Sequence, residues 1–247
     1  MFHDYYLQRI GAALNLSVDE PVLEIGTGLG FLTEIILKKT TRLRSFEIDY
    51  RLTPYLSERY GEIIVPHDFL TLKWEDLPQE KTWKIVGNLP YNCATAMIRK
   101  ILRSPSIFNQ AYFTIQREVA ERMVARVNQK NYGYFSLFVQ HFSEPKILFN
   151  IPAQAFYPQP RVKSSVVELK LRESRQLPIE MEDVFFDWIG NLFQQRRKKI
   201  KDRIYLKPGW AAVQPLSDED QTLQLRPENL TMHDFYRLFR KVYPRQS

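Results

Sequence analysis

Apolar and polar positions along the chain switch repeatedly between two spacings. Over Asp4–Leu14 the apolar groups Tyr6, Ile10, Ala13 and Leu14 recur at helical intervals, which predicts a short helix. Pro21-Val22-Leu23-Glu24-Ile25 is a short apolar run that ends in glycines, as a buried strand does. Phe31–Lys39 then reads as a helix, Leu43–Ile48 as a strand, Leu52–Tyr60 as a helix and Glu62–Val65 as a strand. Trp83–Gly87 is a further strand, followed by a helix over Ala94–Leu102. Ala111–Ile115 is predicted as a strand that leads into a helix through Arg126, and Gly133–Phe142 as another helix. Lys146–Phe149 and Ser165–Leu171 are predicted strands with no clear helix between them, which suits an antiparallel hairpin at a sheet edge. Strands alternating with helices imply an α/β domain, a mostly parallel sheet covered by helices on both faces. The polar stretch Glu173–Pro178 reads as a linker, and beyond it the pattern is helical only: Val184–Phe193, Arg196–Tyr205 and Met232–Val242. The expected organisation is one domain over residues 1–175 and a small all-helical domain over 176–247. No internal repeat or low-complexity tract is visible.

With 247 residues, 44% of them hydrophobic, the chain can bury a real core. Lys and Arg number 35 against 28 Asp and Glu, a net charge of +7 that suits an anionic partner such as nucleic acid without proving one. A single cysteine, Cys93, leaves no intramolecular disulfide and fits a reducing compartment. His3, His67, His141 and His233 are scattered without ligand spacing, so no metal site is expected. No apolar run approaches the ~20 residues of a membrane span, and Met1–Leu7 lacks a signal pattern. The expectation is a cytoplasmic protein that does not meet a membrane.

Chemistry enters at the strand ends. Gly26-Thr27-Gly28-Leu29-Gly30 lies between the first strand and the helix after it, where glycines let the backbone turn tightly and approach a ligand. The following helix turns its N-terminal amides the same way. Glu47 ends the second strand about 20 residues on, where a carboxylate can accept from ribose hydroxyls. A glycine turn alone could be purely structural, but turn, Glu47 and alternating pattern together fit a nucleoside ligand. Asp68 follows the third strand and either accepts from an adenine amine or caps a turn. Asn88-Leu89-Pro90-Tyr91 closes the fourth strand. An adenine N6 amine is a poor nucleophile because its lone pair is delocalised into the ring. An Asn side-chain oxygen and a backbone carbonyl can accept its protons and aim the nitrogen at a methyl donor, Pro90 limits the backbone, and Tyr91 can stack on the base. In-line displacement of this kind rests on positioning and needs no metal.

These residues resemble those of the KsgA/RsmA family of ribosomal RNA adenine dimethyltransferases, with the Erm methyltransferases as relatives of the core. The resemblance covers nearly the whole chain: Val22–Gly30 with Leu32-Thr33, Glu47-Ile48-Asp49, Asp68, Gly87–Asn92, Gln116–Arg122, Phe156–Val167, Phe193–Lys199 and Arg226–Leu230. It implies a Rossmann-like class I methyltransferase sheet using S-adenosyl-L-methionine. The cofactor residues it implies are Glu24, Gly26, Thr27, Gly28, Glu47, Ile48, Asp68, Phe69 and Asn88. The catalytic set it implies is Asn88, Leu89 through its backbone, Pro90 and Tyr91, with Phe156 a second aromatic wall for a flipped base. It also implies the substrate: two adjacent adenines in a hairpin loop near the 3′ end of small-subunit RNA, each receiving two methyl groups. The family pattern carries a Gly-Gln-x-Phe-Leu segment ahead of the first helix, and this sequence begins about where that segment would end. A chain without it is expected to hold cofactor less well.

Arg161 and Lys163 fall beside the expected pocket, and Arg196, Arg197, Lys198 and Lys199 form a basic run on a predicted helix; all six can neutralise RNA phosphates. The run also reads as a solvated helix face. A target base must leave its stack, which favours a loop over a perfect duplex. The expected partner is small-subunit RNA or a 30S-type particle, and the expected state a monomer. Three other readings stay open: an Erm-like 23S RNA adenine methyltransferase, a non-catalytic RNA-binding or assembly factor with this fold, and adenine methylation of DNA. The tail residues Arg196-Arg197-Lys198 and Arg226–Leu230 resemble the KsgA type.

Overall fold

The structure is a computed structural model and describes residues 3–78, 82–104, 107–204 and 220–243. It divides into two compact units, Met1–Glu121 with Phe142–Glu173, and Arg122–His141 with Ser174–Ser247.

The first unit opens with helix α1 (Asp4–Leu14), then β1 (Val22–Ile25), α2 (Phe31–Leu37), β2 (Leu43–Glu47), α3 (Thr53–Tyr60) and β3 (Ile64–Pro66). It continues with β4 (Trp83–Asn88), α4 (Ala94–Leu102), β5 (Phe108–Gln116), the helix α5 (Arg117–Val124), which crosses the unit boundary after Glu121, and later β6 (Ser143–Ile151) and β7 (Ser164–Leu171). The seven strands form one sheet in the order β3-β2-β1-β4-β5-β7-β6. The pairings among β1 to β5 are parallel, and β7 runs antiparallel between β5 and β6. The two late strands pair with each other as expected, with β6 at the edge. All four residues of β1 are buried, with no alternation, as befits a parallel strand covered on both faces. The third strand starts two residues later than its apolar run suggests. Gly61, at φ 62, leads Gly61–Ile63 into a 3-10 turn before the backbone extends.

The chain runs outward from β1 in both directions, so the crevice of this sheet lies where β1 and β4 end side by side. Register places Ile25 opposite Gly87. There is no room for a side chain at Gly87, where a Cβ would stand 2.6 Å from the Ile25 carbonyl oxygen and 3.2 Å from Leu89 Cδ2. Backbone cannot swing aside as a side-chain tip can. Gly87→Ala is therefore expected to destabilise the chain by about 1–3 kcal/mol through forced strand separation, read as a lower denaturant midpoint. At the other end of β4, Lys84 is 3% exposed. Its Nζ donates to the Leu14 carbonyl at 3.0 Å and pairs with Glu20 Oε1 at 3.0 Å, which ties the end of α1 to the sheet.

The second unit contains α6 (Tyr134–Phe142, ending at the unit boundary), α7 (Ile179–Gln194) and α8 (Met232–Val242). Phe185, Phe186, Trp188, Phe235 and Phe239 are fully buried and make its core. Residues 122–141, which the sequence pattern leaves in the first domain, belong here. The Tyr132 hydroxyl donates to the Leu230 carbonyl at 2.9 Å, and buried His141 sits with Nδ1 2.7 Å from the Tyr236 hydroxyl and Nε2 3.2 Å from Glu182 Oε1. Helix α7 begins earlier than predicted, at Ile179, with Glu180 and Glu182 in its first turn where the helix dipole favours acids. The helix predicted over Arg196–Tyr205 does not form. Gln195 leaves helical geometry (φ −128, ψ 55), residues 195–198 make a turn, and only Ile200–Asp202 coil into a 3-10 segment. Ile200 and Ile204 are the buried apolar positions of its described part, too few to hold a helical face. Tyr205 lies outside the described residues.

Candidate active site

Above the ends of β1, β2 and β4 the first unit opens into a cavity of about 710 Å³. Gly26 and Gly28 form its floor on one side, Glu47 and Ile48 follow from β2, and Asp68 and Phe69 follow β3. Asn88, Leu89, Pro90 and Tyr91 come from the end of β4, and Phe156 from the connection between β6 and β7. Eleven residues named from the sequence thus share one cavity, although they are drawn from five segments of chain.

The Glu47 carboxylate organises the loop. Its Oε2 accepts from the Gly28 amide at 2.7 Å and its Oε1 from the Asp49 amide at 2.8 Å. A carboxylate oxygen has a second lone pair, so each can still accept from a ribose hydroxyl. Gly28 holds φ 57, with nothing within 4 Å of where its Cβ would be. That open space before the loop leaves the backbone accessible to a ligand's close approach. Asp68 caps its own turn, Oδ1 accepting from the Leu70 amide at 2.8 Å, and also lines the cavity, so both of its expected roles are compatible. Phe69 is buried and packs edge-on to Phe46, whereas Ile48 is 66% exposed.

Asn-Leu-Pro-Tyr is pinned at several points. Asn88 pairs with Thr114 in register, the Leu89 amide donates to the Thr114 carbonyl at 3.1 Å, and the Cys93 and Ala94 amides donate to the Pro90 carbonyl at 3.2 and 2.9 Å. The Asn88 side chain is exposed to the cavity while Leu89 is buried beneath it. The Tyr91 hydroxyl lies 2.9 Å from Ser164 Oγ.

Glu24 and Thr27 do not line this cavity. Both are buried beneath the loop in a chain of hydroxyls. Ser45 Oγ and Thr33 Oγ1 donate to Glu24 Oε2 at 2.6 and 2.7 Å, and Thr27 Oγ1 meets Ser45 Oγ at 2.7 Å. Burial pushes the Glu24 carboxyl up to about 7 from an ordinary 4.5, against those two donated hydrogen bonds and with the Glu47 charge adding to the rise. A carboxyl raised in the fold binds more protons folded than unfolded. Its stabilising contribution is complete below about 4.5 and is lost as pH rises through about 7. Glu24→Gln, neutral at every pH, is expected to flatten this loss, seen as urea midpoints that differ less between about pH 5 and about pH 8 than those of the parent.

Arg161 and Lys163 are exposed on the β6–β7 connection, outside the cavity. Arg196, Arg197, Lys198 and Lys199 are exposed on the turn after α7 in the second unit. Arg196 pairs with Glu228, and Lys199 Nζ donates to Gln224 Oε1 at 3.1 Å. The cavity also takes in Asn92, Pro158 and Pro160, which lie in the quoted motif segments without an assigned role, and His67, Cys93 and Met97, which the motifs do not include. Cys93 and Met97 had a signal, being one helical turn apart directly after the Asn-Leu-Pro-Tyr turn. Among the described residues, no group of three or more His, Cys, Asp and Glu is placed to hold a metal ion, and no helix is long and apolar enough to cross a membrane.

The strand order and the glycine cradle opposite Glu47 are those of a Rossmann-like methyltransferase that uses S-adenosylmethionine. A family model described as ribosomal RNA adenine dimethylase matches residues 3–242, and the chain belongs to that family. It is 34% identical to a ribosomal RNA small subunit methyltransferase A of Oceanobacillus iheyensis, over 98% of this chain and 87% of that protein. A protein of the same name from Borreliella burgdorferi is 36% identical over 94% of this chain and 82% of its own length. In fold, the chain is similar to the crystal structure of a dimethyladenosine transferase from Plasmodium falciparum, with a TM-score of 0.78 at 24% identity over 96% of each chain.

Proposed function

We propose that this protein transfers methyl groups from S-adenosylmethionine to N6 of two adjacent adenines in a hairpin loop near the 3′ end of small-subunit ribosomal RNA, two to each, during ribosome biogenesis. The observation that carries this most directly is the meeting of Asn88-Leu89-Pro90-Tyr91 with Glu47 and Asp68 in one cavity. Family membership and the names of the relatives point the same way.

S-Adenosylmethionine supplies, when bound, an electrophilic methyl group on a sulfonium. Glu47 accepts from the ribose hydroxyls, Asp68 from the adenine amine of the cofactor, and Gly26 and Gly28 let the backbone approach. Ile48 and Phe69 contact the cofactor's adenine, and Glu24 and Thr27 hold the loop from below. Asn88 Oδ1 and a backbone carbonyl at Leu89 accept hydrogen bonds from the target amine and keep its lone pair on line. Pro90 stiffens that turn, and Tyr91 and Phe156 sandwich the extruded base. Arg161, Lys163, Arg196, Arg197, Lys198 and Lys199 neutralise phosphates of a small subunit or its RNA, with a dependence on salt. In functional terms the first unit does the chemistry and the second helps to hold the RNA. The protein acts as a monomer, in the cytoplasm where subunits are assembled.

The test is a nucleoside digest of small-subunit RNA after reaction with unmethylated particles. N6,N6-dimethyladenosine mapped to paired loop adenines near the 3′ end is the expected result. Methylation elsewhere in the RNA contradicts the assignment.

A further inference from the structure

Tyr91 stands on a turn, 37% exposed, where a tyrosine ring has freedom to swing. Its hydroxyl is nevertheless engaged, 2.9 Å from Ser164 Oγ. Ser164 is 0% exposed and is the first residue of β7. In register it faces Gln116 of β5 on one side and Ile151 of β6 on the other, so its backbone is held from both flanks. The hydroxyl is therefore a fixed post. If Tyr91 turned away, that buried hydroxyl would lose its partner.

Ser164 also ends the β6–β7 connection that carries Phe156, which lines the same cavity as Tyr91. One segment thus supplies one wall directly and anchors the other through a hydrogen bond. The separation of two such walls decides whether a planar base fits between them. Complete reaction requires the slot to accept the monomethylated base as well as the unmodified one.

We propose that Ser164 is a positioning residue. By holding the Tyr91 hydroxyl it fixes the position and tilt of one aromatic wall, so that adenine and N6-methyladenine are both held in reactive alignment. This rests on the adenine dimethylation proposed above. Ser164 touches neither substrate nor cofactor and acts through Tyr91.

The experiment compares Ser164→Ala, Ser164→Thr, Tyr91→Phe and the Ala/Phe double variant on unmethylated small subunits. It reads kcat, KM for the RNA substrate, the ratio of monomethyl to dimethyl adenosine, and the thermal midpoint. Loss of alignment by a fraction of an ångström predicts a kcat lowered about tenfold in Ser164→Ala, with KM little changed. Monomethyladenosine should accumulate, because the bulkier second acceptor tolerates a mis-set wall least. Tyr91→Phe should show the same fall, the double variant should fall no further than either single one, and Ser164→Thr, which keeps the hydroxyl, should restore the product ratio. If Ser164→Ala does not fold, Tyr91→Phe carries the comparison alone. A Ser164→Ala enzyme that dimethylates like the parent overturns the proposal, as does a double variant whose losses multiply. A parent enzyme that makes no N6-methylated adenosine overturns the dimethylation assignment itself, and the positioning role falls with it.

Discussion

Asn88→Ala is expected to lower kcat for methyl transfer by about 10²–10³-fold while leaving RNA affinity near that of the parent, as removal of one well-placed polar group from a reacting centre does in other enzymes. The backbone of this residue is fixed independently of its side chain. Asn88 pairs with Thr114 in register, and the Leu89 amide bonds to the Thr114 carbonyl at 3.1 Å. Truncation therefore removes an acceptor for the amine protons without moving the strand. The side chain is exposed to the cavity, so the fold loses little by its removal. Single-turnover methylation and a filter-binding isotherm, measured on the same preparation, separate the two effects. Equal losses in both would mean that Asn88 serves RNA binding and not the chemical step.

The second large effect is expected at Glu47. Glu47→Ala should weaken S-adenosylmethionine binding by about 10²-fold, since two charge-assisted hydrogen bonds to ribose hydroxyls are worth a few kcal/mol together and each 1.4 kcal/mol is tenfold. The same change strands the Gly28 and Asp49 amides, which now donate to this carboxylate at 2.7 and 2.8 Å, so the loop itself loosens. Glu47→Gln keeps one acceptor oxygen but turns an amide toward one of these donors, and should fall between the two. Calorimetric titration with cofactor gives the affinities directly. An unchanged affinity in Glu47→Ala would move the ribose elsewhere in the cavity.

Much of the sheet was legible because its strands are short apolar runs and its turns carry glycine. Helix α8 was legible to the residue, since a capping box between Thr231 and Asp234 starts it. What misled was local propensity without burial. Arg196 to Lys199 are good helix formers, yet the described part of the stretch through residue 204 buries only Ile200 and Ile204, and residues 195–198 form a turn. The motifs named which segments meet at the cavity, but not which way each side chain faces. Glu24 and Thr27 sit in the glycine motif and point into the hydroxyl chain beneath it, because the demand of Ser45 and Thr33 for an acceptor is a tertiary fact. The Tyr91–Ser164 bond joins residues 73 apart, and Lys84 meets Leu14 across 70, so no window along the sequence contains either. Membership of the second unit by residues 122–141 was hidden for the same reason: Tyr132 finds its partner at Leu230, 98 residues on.

The most direct test of the central claim is transfer of tritiated methyl groups from S-adenosylmethionine to unmethylated small ribosomal subunits, with large subunits and DNA alongside. Label in the small subunit alone, recovered as N6,N6-dimethyladenosine, is the predicted result. Label in the large subunit or DNA instead, or in none of the three, would contradict it.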